Sequence, residues 1–119
     1  MKLSPAEIEA RLAELRSVYL ASLAEKREAV VTHWAGLTQR WQPENYQALY
    51  LIIHTLAGSA ETFGLPEVTL AARRVVDLFK QHIQHDRLDA HHIPLVTAGI
   101  EQLTARMAAA TLEKKNSTV

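Results

Sequence analysis

Cysteine is absent from the 119 residues. That excludes a disulfide scaffold and thiolate metal sites, and it fits a reducing compartment. Glycine and proline are scarce, four of each, so few positions force a regular element to stop. Aromatic residues make up only 6% while Ala and Leu abound, a composition that favours helix over strand. Neither sign of charge is in excess: 13 basic residues balance 13 acidic ones, and no basic stripe marks a nucleic-acid surface. No apolar run approaches the roughly 20 residues of a membrane span. The start, MKLSPAEIEARL, lacks the apolar centre of a secretory signal. What is present is apolar material for one core, 48% of the chain. A cytoplasmic helical protein is expected, without nucleic-acid or membrane partners.

Helical periodicity organises what is there. Ser4-Pro5-Ala6-Glu7 reads as a capped start, with Pro5 in the first turn and Glu7 completing a capping box. Ile8, Leu12, Leu15, Tyr19, Leu23, Val30, Trp34 and Leu37 then recur at helical spacing, predicting a first helix over 5–39 with a bend or break near 20–26. Pro43 opens a second helix over 43–63. Gly64-Leu65-Pro66 ends it and starts a third, with Val68, Ala72, Val75 and Phe79 on one face. QHIQHDRLDAHH reads as the end of that helix and a loop, without strand-like alternation. Ile93, Val96, Ile100, Leu103, Met107 and Ala110 mark a fourth helix. These stripes read as core. The expected fold is all-α: an antiparallel up-down four-helix bundle with an extended or bent N-terminal helix. Residues 1–113 form the single domain and 114–119 a polar, frayed tail. Four helices can bury their own stripes, so a monomer is expected. Met1 and the polar tail favour a standalone protein or an N-terminal module.

The second helix poses a question through HTLAGSAETFG, residues 54–64. At about 100° per residue, Leu49, Ile52, Leu56, Ser59 and Phe63 gather opposite His54 and define a core face. Tyr50, Ala57, Gly58 and Glu61 fall on the side of His54, which is expected to point directly away from the core. Gly58 costs about 1 kcal/mol relative to alanine inside a helix. On an exposed side, it and Ala57 leave a bare strip beside an imidazole, as if something large must reach it. Ser59 is expected to face inward and bond back to the Thr55 carbonyl.

His54, Leu56, Gly58, Ser59 and Gly64 together resemble the signature of histidine phosphotransfer (HPt) domains of bacterial two-component phosphorelays. The resemblance also takes in GLPEVTLAARRVVDLF and the preceding helices, nearly the whole chain. One position departs from it: the family's lysine three residues after the histidine is Ala57 here, as in the alanine variant of the motif. The resemblance implies a phosphohistidine carrier without autonomous kinase activity. His54 would accept a phosphoryl group from the aspartate of one receiver domain and pass it to another. No cofactor of its own is implied, and Mg2+ is expected on the partner receiver. The expected partners are response-regulator receiver domains and a hybrid sensor histidine kinase. Ala57, Gly58, Ser59 and Gly64 would shape the site, and Tyr50, Ala57, Glu61, Leu65 and Arg74 would meet the receiver. Arg73, Arg74 and Lys80 on the third helix are the candidates to replace the absent lysine, with Arg74 best placed by periodicity. The demands of the chemistry agree. The nucleophile must be a neutral imidazole, and an ordinary histidine, titrating near about 6.5, is mostly uncharged above neutrality. No P-loop or GxGxxG pattern is present to hold a nucleotide.

Two other readings compete. A bundle of this kind could dock receivers without carrying phosphate, a reading kept open by Ala57 and opposed by His54 itself. Alternatively, His82, His85, His91 and His92, with Asp86 and Asp89 among them, could form a metal site, since imidazole with carboxylate suits zinc, copper or nickel. Their place at a helix end and loop reads as a solvated turn instead, so no metal is expected.

Overall fold

A computed structural model describes residues 2–117, and side-chain surroundings for residues 2–112. The elements are α1 (Pro5–Gln39), α2 (Pro43–Thr62), α3 (Pro66–His82), β1 (Ile83–Gln84), β2 (Arg87–Leu88), a 3-10 turn (Ala90–His92) and α4 (Ile93–Ser117). Of the described residues, 86% are helical. Each helix packs on the next and α4 closes back on α1, the ring of neighbours of an up-down bundle.

The first three helices begin on proline, whose fixed φ suits a first turn and whose missing N–H is not needed there. At α1, the Ser4 hydroxyl accepts the Glu7 amide hydrogen at 3.2 Å, the capping bond foreseen from the sequence. Between α2 and α3, Gly64 takes φ +71°, a left-handed conformation open to glycine at little cost. The Leu65 amide then closes the turn on the Ala60 carbonyl at 2.9 Å.

α1 is a single uninterrupted helix of 35 residues, so no break occurs at 20–26. At 1.5 Å per residue it is about 52 Å long, against about 30 Å for the 20-residue α2. The mismatch corrects the expected core. Tyr19, Leu23, Val30, Trp34 and Leu37 are buried, whereas Ile8, Leu12 and Leu15 are exposed, Leu12 by 58%. The shorter neighbours do not reach the first turns, so a stripe of core spacing lies uncovered.

α4 runs to Ser117, so helix continues beyond the expected domain end at 113. The side chains of the expected polar tail, 114–119, lie outside the described residues. The core gathers Leu49, Ile53 and Leu56 of α2, Val68, Val75 and Phe79 of α3, and Val96, Leu103 and Met107 of α4. Gly99 lets α4 approach α3: a Cβ there would lie 2.7 Å from Leu78 Cδ1. The Trp34 indole donates to Thr97 Oγ1 at 3.0 Å, so α1 and α4 share a satisfied polar contact beside the core.

Between α3 and α4 the structure differs from the expected plain loop. β1 and β2 pair antiparallel, Ile83 with Leu88 and Gln84 with Arg87. His85 and Asp86 turn the chain with φ of 55° and 56°. Two consecutive positive φ values define the tight hairpin turn whose twist matches its strands.

Candidate functional site

α2 places His54 in solvent, as expected, but not diametrically opposite the core. The buried residues of α2 are Tyr46, Leu49, Ile53, Leu56, Ala57 and Ala60, while Ile52 and Phe63 are only half-buried. The core face is therefore centred near Ile53, about 100° from His54 rather than 180°. His54 stands at the rim of the α2 face that meets its neighbours. Its ring lies on Tyr50 with centroids 5.7 Å apart and planes 19° from parallel. Tyr50 in turn contacts Tyr46 at 6.2 Å, and Tyr46 stacks on Trp41 at 5.4 Å. The imidazole thus caps a row of aromatic rings and is supported along one side.

The other side is open. A Cβ added at Gly58 would meet nothing within 4 Å. This glycine is not spent on close helix packing, and it leaves bare backbone one turn beyond the imidazole. Ala57 does not share in that open strip: it is 9% exposed and belongs to the core. It therefore offers no docking surface, contrary to the expectation from a core centred opposite His54. Leu65 is likewise 7% exposed. Its carbonyl accepts the Thr69 hydroxyl at 3.1 Å at the start of α3, and little of its side chain is left for a partner.

Ser59 points towards α1, and its role is structural. Its hydroxyl meets the Tyr19 hydroxyl at 2.8 Å and donates weakly, at 3.4 Å, to the Leu56 carbonyl rather than to Thr55. Tyr19 stacks on Phe63 at 4.5 Å and carries the Lys26 ammonium 4.2 Å above its ring. Burial raises the Tyr19 phenol above its ordinary value, and the Ser59 hydrogen bond opposes this. Arg16 Nε donates to the Phe63 carbonyl at 3.1 Å, fastening the end of α2 to α1. These contacts hold the helix that carries His54.

Of the α3 cations, Arg73 rather than Arg74 reaches α2. Its guanidinium lies 2.7 Å from the Glu61 carboxylate, with both groups exposed. Lys80, seven residues on, shares the stripe of Arg73 and is also exposed. Arg74 instead lines a groove between α3 and α4 with Glu67, Gly99 and Arg106. Its expected place beside the histidine is corrected by the way α3 faces its two neighbours. α3 turns Arg73 towards α2 and Arg74, one residue later, towards α4.

Comparison with models of protein families matches residues 14–113 to the model described as the Hpt domain. No curated protein and no solved structure gives a match.

Proposed function

The chain belongs to the Hpt domain family, and from that premise we propose that His54 accepts a phosphoryl group from a receiver aspartate and passes it to a second receiver. Domains of this family are phosphocarriers of phosphorelays rather than kinases. The observation that carries the reading is one geometric pair: an exposed imidazole held against Tyr50, beside helix backbone left bare by Gly58.

In the forward step an imidazole nitrogen attacks the phosphorus of the aspartyl phosphate. The N–P bond forms as the P–O bond to the carboxylate breaks, the carboxylate leaves with the electron pair, and the ring proton passes to solvent. The second receiver's carboxylate reverses the exchange. Such transfers depend on positioning and charge neutralisation. The α2 helix and the Tyr50 ring supply the positioning. The receiver supplies the aspartate, its bound Mg2+ and a lysine, with a hybrid sensor kinase upstream. Tyr50 and Glu61 edge the surface that the receiver covers.

Arg73 and Lys80 take over from the lysine that Ala57 replaces. The Arg73–Glu61 pair is solvent-exposed and contributes about 0–1 kcal/mol, so releasing the guanidinium towards a phosphoryl group costs little. The test is incubation of His54→Gln with a phosphorylated cognate receiver. The variant keeps its helical spectrum and takes up no label; a labelled variant sinks the assignment.

A further inference from the structure

The sequence reading leaves the histidine-rich segment as a solvated turn, yet the fold draws three of its imidazoles together. His82 ends α3, the hairpin reverses the chain, and the 3-10 turn brings His91 and His92 back beside it. The His92 ring centroid lies 4.3 Å from that of His82 and 4.0 Å from that of His91. The Asp89 carboxylate is 3.8 Å from His91 Nδ1. The Asp89 carbonyl accepts the His92 amide hydrogen at 2.9 Å, so the four-residue loop is closed by its own backbone.

One ligand atom each from Asp89, His91 and His92 lies within 4.8 Å of the others. A second observation stands apart from this clustering. His92 Nδ1 is buried and has no hydrogen-bond partner among the described residues, an arrangement that costs free energy unless something else satisfies the atom.

We propose that Asp89, His91 and His92 bind a divalent cation of the zinc class at the joint between α3 and α4, with the His82 ring packed beside them. Imidazole with carboxylate, and no thiolate, suits zinc, nickel or copper rather than the all-oxygen preference of calcium and magnesium. Tetrahedral ligands about 2.0–2.1 Å from zinc lie about 3.3 Å from one another. The three ligand atoms lie within 4.8 Å of one another, and His91 and Asp89, both exposed, are the side chains that would turn to close the shell. The site is independent of the phosphoryl chemistry at His54.

The experiment is titration of the untagged full chain with Zn2+ alone, followed by calorimetry. One ion per chain with a dissociation constant of about 1 μM or tighter is expected. His92→Gln and Asp89→Asn weaken binding by at least about tenfold, or 1.4 kcal/mol. His85→Asn, in the hairpin turn but outside the cluster, leaves it unchanged. Absence of saturable binding, a smaller loss in either ligand variant, or an equal loss in His85→Asn overturns the site. Should His92→Gln fail to fold, X-ray absorption of the zinc-loaded wild type decides. A shell with two or more imidazoles is expected, and one or none refutes the proposal.

Discussion

Gly58 separates stability from access within one residue. It occupies a helix interior, where glycine costs about 1 kcal/mol relative to alanine, and a Cβ there meets nothing within 4 Å. Gly58→Ala therefore stabilises the bundle by up to about 1 kcal/mol, measured by urea unfolding. Gly58→Leu keeps the fold but puts a branched side chain over the bare backbone beside His54. Phosphoryl uptake from the receiver falls about tenfold or more, equivalent to ~1.4 kcal/mol of barrier. If Gly58→Leu is labelled at the wild-type rate, the open strip is not the approach path.

The element that departs most from a compact bundle is α1. Its first turns carry Ile8, Leu12 and Leu15 at core spacing, but these side chains are exposed. Deletion of residues 1–15 removes no buried side chain among the described residues and keeps Arg16 and its bond to Phe63. Urea unfolding of the shortened chain is expected to differ from the full chain by less than about 1 kcal/mol. A larger loss would mean that the arm is folded against something.

Sequence periodicity located the helices well because three begin on proline and Gly64 punctuates α2. It put His54 and Gly58 on an exposed side of α2, where both lie. It did not fix the rotation of α2, and the reason is physical. Leu49, Tyr50, Leu51, Ile52, Ile53, Leu56 and Ala57 cover so much of that helix that several core faces are possible. Packing on α1 and α3 chooses the one through Ile53, which buries Ala57. The hairpin stayed hidden for another reason. Its turn uses His85-Asp86, not the Asn-Gly or Asp-Gly pairs that advertise two positive φ values.

At the scale of the whole molecule, alkali acts through the buried phenols. The Tyr46 phenol is raised above its ordinary value by burial first, and then by Tyr50 and Asp86. A folded-state pKa above the unfolded value keeps the proton on the native protein after the unfolded chain has lost it. That contribution is intact below about pH 10 and declines as pH rises through the folded value. Tyr46→Phe removes the titrating group while retaining the ring that meets Phe79 edge-on at 5.4 Å. Thermal melts of the variant should lose less stability between neutral and strongly alkaline pH than those of the wild type. An equal loss would place the alkaline sensitivity elsewhere.

The row of rings through Tyr46 and Tyr50 also gives the molecule its own optical reporter. Trp34 is buried and bonded to Thr97, away from that row. Trp41 donates to the Asp86 carbonyl in the hairpin and begins the row that His54 ends. If His54 takes a phosphoryl group and an ion is captured beyond the hairpin, as proposed above, the two events would approach this one indole from opposite directions. A single unlabelled fluorophore would then follow both in real time.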